Sequence, residues 1–204
     1  MSSTSERAYS SARRSEQAAA TRERIATAAR RSFIERGFTA TTIEQIARDA
    51  GVATPTVYSA YGSKRAIMMK LLEDVVAKDS LRASLSNEAD IRKQLRLVVE
   101  FDVRLFTQGA DLIGALRGAS AQDEALNELR MEGEKRRRKS QSELIHVWAE
   151  RGALRQGLSE NEAADVLWAM TSDLVYNLFV RGNRWPIARY EQWLYSTLEA
   201  LLLR

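Results

Sequence analysis

Residues 41–64 read TTIEQIARDAGVATPTVYSAYGSK and contain two short helical patterns separated by a glycine. The first pattern has small and apolar residues at the spacing of one helix face: Ile43, Ile46, Ala47 and Ala50. Two capping boxes are possible at its start, Thr41 with Glu44 or Thr42 with Gln45. Gly51 ends this helix, because glycine adopts the left-handed conformation at low cost.

The second pattern is a short helix predicted from Pro55 to Tyr61. Thr54 is its expected N-cap, Pro55 suits its first turn, and Gly62 ends it. Two short helices that cross on small residues around a tight turn are typical of a helix-turn-helix. In such a unit the first helix rests its N-terminus on a phosphate and the second helix enters the major groove.

The rest of the chain is also helical in pattern, with scarce proline and no hairpin signals. We therefore predict an all-α fold: an N-terminal three-helix helix-turn-helix domain followed by a helical ligand-binding and dimerisation domain. The predicted parts are a disordered tail (1–17), the helix-turn-helix domain (18–63), a connecting helix (64–83) and the ligand-binding and dimerisation domain (84–204). Helices are expected near 21–36, 64–81, 91–108, 111–118, 122–151, 160–181 and 186–204.

Charge is unevenly distributed along the chain. Residues 1–65 hold 11 Lys/Arg against 6 Asp/Glu, whereas residues 66–204 hold 20 against 21. A basic first third on a nearly neutral remainder favours a phosphate-binding head, although it also fits a solvated arginine-rich terminus. The chain has no cysteine, no membrane-spanning run and no apolar signal segment, so a cytoplasmic protein is expected, with no membrane partner.

The segment resembles the TetR family, whose motifs occur here in order and at the expected spacing. They are Gly37-Phe38, Thr41-Thr42, Ile46-Ala47, Ala50-Gly51-Val52, Tyr58, Tyr61 and Ser63-Lys64. Residues 150–155 (ERGALR) and 158–168 (LSENEAADVLW) are similar to the AcrR-like branch of that family, less sharply. The resemblance implies a homodimer that binds a pseudo-palindromic operator in double-stranded DNA.

The resemblance also implies which residues face DNA. Thr42 would meet a phosphate, and the leading residues of the second helix, Thr54, Pro55 and Thr56, would face base edges. Tyr58 and Lys64 match positions that usually touch phosphate, whereas Val57 and Tyr61 are expected to pack beneath the helix.

Two positions depart from the family pattern. Ser59-Ala60 replaces an aromatic pair, which removes one phosphate contact and leaves Ser59 as the DNA-facing member. Arg65 stands where glutamate is frequent and is expected to supply a positive contact. Specificity then depends on apolar contacts and DNA shape, or on Arg13 and Arg14 in a minor groove, unless the tail is simply a solvated arm.

The last two predicted helices, 160–181 and 186–204, have wide apolar faces. A single surface helix needs only one apolar stripe, so these faces favour a four-helix interface between two copies over a thick monomer core. Two heads held about 34–36 Å apart would then read successive major grooves.

A ligand site is expected inside the body. Asp102 lies on the apolar stripe of the 91–108 helix, so a buried carboxylate there needs a partner. Either Arg136 or Arg137 supplies it, or a cationic or hydroxylated ligand does. The candidate lining residues are Phe101, Asp102, Phe106, Trp148, Trp168, Asp173, Tyr176 and Asn177, around a small, largely apolar effector.

These patterns predict a repressor that a small effector releases from its operator. A ligand-independent regulator or an activator with the same head remains open, and so does an all-helical adaptor. The sequence holds no catalytic set, no phosphate-binding glycine loop, and only one histidine, so we expect no enzyme, no cofactor and no metal site.

Overall fold

The computed structural model describes residues 3–77 and 81–204, and within them the secondary structure is helical apart from one isolated bridge, Leu154 to Leu203. Within the described ranges ten α-helices follow in chain order, with a π-helical turn at Asn177–Gly182 after the ninth. They are α1 (Ser3–Arg36), α2 (Ile43–Ala50), α3 (Thr54–Tyr61), α4 (Lys64–Ala77), α5 (Leu81–Asn87), α6 (Ile91–Ser120), α7 (Glu124–Glu150), α8 (Glu160–Met170), α9 (Asp173–Tyr176) and α10 (Ile187–Leu202). The all-α prediction, with a helix-turn-helix followed by a helical body, is confirmed.

The N-terminal boundary differs from the sequence prediction. The segment predicted as a disordered tail is helical from Ser3, because residues 3–36 contain many helix formers and neither glycine nor proline. Met1, Ser2 and the side chain of Arg14 lie outside the described residues, and Arg13 is exposed on α1. The connecting helix is described only to Ala77, because residues 78–80 lie outside the described part of the chain.

Two further boundaries differ in the body. The predicted helices 91–108 and 111–118 form one continuous α6, since Gly109 is tolerated inside a helix that packs tightly on α4. A Cβ atom at Gly109 would lie 2.7 Å from Val75 Cγ1, so only glycine allows this approach. The predicted 160–181 helix instead breaks after Met170, and Ser172 caps the short α9.

Two hydrophobic clusters form the interior. The head cluster joins α1 to α4 through residues such as Phe33, Ile46 and Val57, and it continues into the second half of α6 at Leu112 and Leu116. The body cluster surrounds Trp148, whose indole donates to Gln94 Oε1 at 2.6 Å. Because α6 contributes to both clusters, the head and body are packed together. No helix of residues 3–77 and 81–204 has the length and apolar character needed to cross a membrane.

Candidate nucleic-acid interface and ligand site

The start of α2 is set by Thr42. Its hydroxyl accepts from Gln45 N at 3.2 Å, and Gln45 Oε1 accepts from Thr42 N at 2.9 Å, which is the second of the two possible capping boxes. Thr41 is instead buried, with its hydroxyl 2.8 Å from the carbonyl oxygen of Gly37. Thr42 is exposed, and a hydrogen bond from its hydroxyl helps the Glu44 backbone hydrogen bond to lower the pKa of Glu44.

The turn between α2 and α3 is held by backbone geometry. Gly51 has φ 65°, and its N–H together with that of Val52 bonds the last carbonyls of α2. Val57 is 1% exposed and anchors α3 beneath the turn, as the sequence predicts. Tyr61 donates its hydroxyl to the Arg22 carbonyl at 3.0 Å, which ties the end of α3 to α1.

The outer face of α3 is open to solvent. Pro55, Tyr58 and Ser59 are exposed, and Thr54 and Thr56 are half-buried. The predicted cap at Thr54 is wrong: Ala53 is the N-cap and Thr54 is the first helical residue, because the extended turn ends one residue earlier. The helix therefore offers small, uncharged side chains and one tyrosine to a partner.

Lys64 lies against the end of α1 and the loop that follows it. Its Nζ donates to the carbonyls of Phe38 and Thr41, each at 2.7 Å, and lies 4.4 Å from the centroid of the Phe38 ring. Desolvation lowers the pKa of Lys64. The ammonium that the family resemblance assigns to phosphate thus holds the α1–α2 loop in this structure.

Arg65 also has an internal partner. Its guanidinium makes two-pronged contacts of 2.9–3.2 Å with Asp123, which is the N-cap of α7. Hydrogen bonds from Arg65 and from the α7 backbone lower the pKa of Asp123 despite an opposing desolvation effect. Sequence reasoning missed Asp123, because nothing local connects residues 58 positions apart.

Replacing Lys64 by methionine should lower the free energy of unfolding by roughly 1–2 kcal/mol, because two carbonyls lose a charged donor at a partly solvated site. Chemical denaturation measures the change. Lys70→Met is the matched control, since Lys70 is exposed and bonds only Asp74 on the same helix. Equal stability of the two variants would refute the loop-holding role of Lys64.

The body places Asp102 in an apolar interior. The residue is 4% exposed, and its Oδ2 accepts no hydrogen bond from the described residues. Desolvation raises the pKa of Asp102 to about 7, and the nearby charge of Arg137 opposes that rise only in part. Arg136 is exposed and lies 3.9 Å from Glu132, so it is no partner for Asp102.

Arg137 directs its guanidinium elsewhere. It donates to the Thr171 carbonyl at 3.0 Å and to the Trp168 carbonyl at 3.1 Å, which closes the broken end of α8. The internal ion pair that sequence reasoning offered for Asp102 is therefore not a hydrogen-bonded one. Thr171 and Gln141, which complete this polar cluster, were not among the predicted residues.

Some of the predicted ligand residues come together and others do not. Phe106 and Tyr176 have ring centroids 5.6 Å apart, and Tyr190, which was assigned to the dimer helix, lies 5.5 Å beyond Tyr176. Asp173 instead pairs with Arg117 at 2.6 Å, and Trp148 is fully buried in the core. Phe101, Trp168 and Asn177 are half-buried. The rings of Phe101 and Trp168 do not contact these aromatic residues.

The last elements of the chain expose large apolar side chains. Leu174 and Leu178 are 54% and 65% exposed, and Ile187 and Leu201 on α10 are 41% and 40% exposed. Leu174 and Leu178 are four residues apart across α9 and the π-helical turn, so they can share one face. This apolar surface lies on the two segments predicted to dimerise.

Comparison with known proteins supports this architecture. Residues 25–70 match the model of a family described as bacterial regulatory proteins, tetR family. SmeT, solved as a complex with triclosan, shares 21% identity, with 91% of this chain and 92% of that chain covered and a TM-score of 0.76. NalD of Pseudomonas aeruginosa, the secondary repressor of the MexAB-OprM multidrug efflux pump, shares 25% identity over 90% of this chain and 97% of its own, with a TM-score of 0.71.

A third similar structure comes from Saccharomonospora viridis and is described as a transcriptional regulator in complex with choline. It shares 22% identity, with 90% of this chain and 97% of that chain covered and a TM-score of 0.73. A search of curated proteins gave no match.

A helix-turn-helix with an open second helix, packed onto a helical body, defines a DNA-binding transcriptional regulator. The family model covers the helix-turn-helix, and the similar structures extend over the body. The tetR family model matches residues 25–70, and the fold of the whole chain is similar to those of SmeT and NalD. The resemblance deduced from residues 37–64 is thereby confirmed.

Proposed function

We propose that the protein is a homodimeric repressor that binds a pseudo-palindromic operator and is released from it by a small-molecule effector. The observation that carries this proposal is the open face of α3, where Pro55, Tyr58 and Ser59 are exposed on a helix whose other side is anchored by Val57. NalD is a repressor, and SmeT and the Saccharomonospora viridis protein were solved with small molecules, which favours the same role here. A protein that binds an operator acts where the genome lies, so we propose that it is cytoplasmic.

In this proposal the DNA contacts come from two helices. The N-terminus of α2 offers Thr42 to a phosphate, and α3 offers Thr54, Pro55 and Thr56 to base edges, with Tyr58 and Ser59 beside the backbone. Lys64 contributes chiefly by holding the loop before α2, since its ammonium is engaged with carbonyls. Arg65 can reach phosphate only by leaving Asp123.

The effector is proposed to act through the contact between α4 and α6. The close approach of Gly109 to Val75 and the ion pair of Arg65 with Asp123 join the head to the body, beside the apolar contacts of Leu112 and Leu116. A ligand that shifts α6 would therefore move α4 and change the spacing of the two heads. The ligand would bind more tightly to the protein in its DNA-free conformation than in its DNA-bound one. The difference between these two binding free energies is the amount by which the ligand weakens operator binding.

The operator can be found by incubating the purified protein with sheared DNA from its own genome and sequencing the retained fragments. The proposal predicts a few sites with two inverted half-sites about one helical turn apart. Binding should weaken steeply with added salt, since phosphate contacts release counterions. Retention of fragments without a shared inverted repeat would refute a sequence-specific dimeric repressor.

Replacing Leu178 by aspartate should weaken self-association by at least about tenfold, because a charge would be placed in the apolar interface of each protomer. Leu178 is 65% exposed in the single chain, so folding should be little affected. Sedimentation equilibrium measures the monomer–dimer equilibrium. Met131→Asp is a control on α7, away from the proposed interface, and should leave the dimer intact.

A further inference from the structure

Six buried polar atoms of the body have no hydrogen-bond partner among the described residues. They are Asp102 Oδ2, Gln141 Oε1, Asn177 Oδ1, the Tyr190 hydroxyl, Trp168 Nε1 and Arg117 Nε. The amide oxygens of Gln141 and Asn177 accept hydrogen bonds, as does the carboxylate of Asp102 when it is ionised; the nitrogens of Trp168 and Arg117 donate, and the Tyr190 hydroxyl can do either. Because buried polar groups in folded proteins are nearly always bonded, the unpartnered oxygens around Asp102 would be satisfied by a donor from outside the chain.

Asp102 is the strongest of these acceptors. It carries a carboxyl group in the body interior, between Val98 and Phe106 along α6, and it is 4% exposed. Arg137, whose charge acts on Asp102, donates its hydrogen bonds to the carbonyls of Thr171 and Trp168. Burying a carboxylate without hydrogen-bond donors costs free energy. A ligand that brings a positively charged donor would therefore bind most favourably beside Asp102.

Aromatic rings adjoin the carboxyl group. Phe106 is one helical turn from Asp102, Tyr176 follows at 5.6 Å and Tyr190 at a further 5.5 Å between ring centroids. The charge of Asp102 acts on Tyr190 and helps to raise the pKa of its hydroxyl. Ring faces attract cations, and rings also bury apolar carbon, so this wall suits a ligand with both parts.

We propose that Asp102 anchors an organic cation, a protonated amine attached to an apolar body that packs against Tyr176 and Tyr190. This inference rests on the proposed function, since the cation would be the effector, and it revises the largely apolar ligand expected from the sequence. A purely apolar ligand would leave the acceptors unsatisfied, and an anion would be repelled by Asp102.

Residues 171–182 lie beside the aromatic wall, because Tyr176 belongs to them. This segment is the broken part of the predicted 160–181 helix and packs on α6 through Tyr176 with Thr107, at 3.3 Å between hydroxyl oxygens, and Asp173 with Arg117 at 2.6 Å. Its short α9 and π-helical turn are joined to α8 by Thr171 and Ser172, where the helix is already interrupted. Tyr176 and Phe179 hold this segment against Phe106 on α6 and against Tyr190 and Trp193 on α10, so it forms one wall of the proposed site.

Three probes of similar size separate the ligand classes: 2-phenylethylammonium, 3-phenylpropan-1-ol and 3-phenylpropanoate. Binding to the full-length protein without DNA is measured by titration calorimetry at about pH 8, where Asp102 is ionised. The ammonium should bind at least about tenfold more tightly than the alcohol or the carboxylate. Asp102→Asn should remove that preference while leaving alcohol binding within about twofold.

Asp165→Asn is the matched control, because Asp165 is an exposed body aspartate paired with Arg138. It should keep the preference for the ammonium. The inference is overturned if no probe binds, if the alcohol binds as well as the ammonium, or if Asp102→Asn retains the preference. Operator binding, measured separately on the same samples, tests the proposed function, so the two proposals can fail independently.

Discussion

Replacing Ser59 by glutamate should reduce operator affinity by at least about a hundredfold. Ser59 is exposed on the open face of α3, so the substitution should leave the head folded while placing a carboxylate against the phosphates. Juxtaposed like charges cost several kcal/mol, and about 1.4 kcal/mol corresponds to a tenfold change in affinity. A dimer carries two copies of the substitution, which compounds the loss.

Fluorescence anisotropy with a labelled operator at fixed salt measures this effect. Ser142→Glu supplies the control, because Ser142 is an exposed serine on α7, in the body. That variant adds the same charge to the same dimer and should bind the operator nearly as well as the unmodified protein. If both variants bind equally well, α3 does not enter the groove as proposed.

Replacing Asp102 by asparagine should stabilise the protein at alkaline pH and do so much less in acid. The folded state holds the Asp102 proton up to about pH 7, whereas the unfolded chain releases it near the ordinary value of 3.8. The unmodified protein therefore loses stability as the pH rises between these two values and loses no more above the higher one. Asparagine carries no such proton, so the free energy of unfolding of the variant does not fall over this pH range.

The expected gain for Asp102→Asn is roughly 2 kcal/mol at pH 5 and roughly 4 kcal/mol at pH 8. Arg137 on α7 and Tyr190 on α10 are the charged and titratable groups whose interaction with Asp102 is resolved, and the pKa of Tyr190 is raised well above this range. Urea unfolding at both pH values and at one protomer concentration measures the difference. A gain that is the same at both pH values would contradict an Asp102 that retains its proton to neutrality.

Local sequence signals predicted the helix-turn-helix well. The turn at Gly51, the box of Thr42 with Gln45 and the burial of Val57 all depend on residues within a few positions of one another. Short-range capping and periodicity therefore carry most of the information. The helix break at Thr171 has a different origin, since it is stabilised by Arg137 from α7.

Long-range partners could not be predicted in the same way. Lys64 has the spacing of a phosphate contact, yet its ammonium meets carbonyls 23 and 26 positions away. The pairing of Arg65 with Asp123 is long-range as well, because packing brings α4 beside the start of α7. For Asp102 the periodicity predicted burial correctly, but only the fold shows that Arg137 donates to the Thr171 and Trp168 carbonyls and not to that carboxyl group.

The meeting of Gly109 with Val75 limits how this regulator can be re-engineered. A graft would join the DNA-reading half of one regulator to the sensing half of another. Here the graft would divide a contact in which a single added carbon lies 2.7 Å from its neighbour. A chimera that keeps Val75 must therefore receive glycine at position 109, or pair any larger residue there with a smaller one at position 75, if α4 and α6 are to pack as closely as they do here.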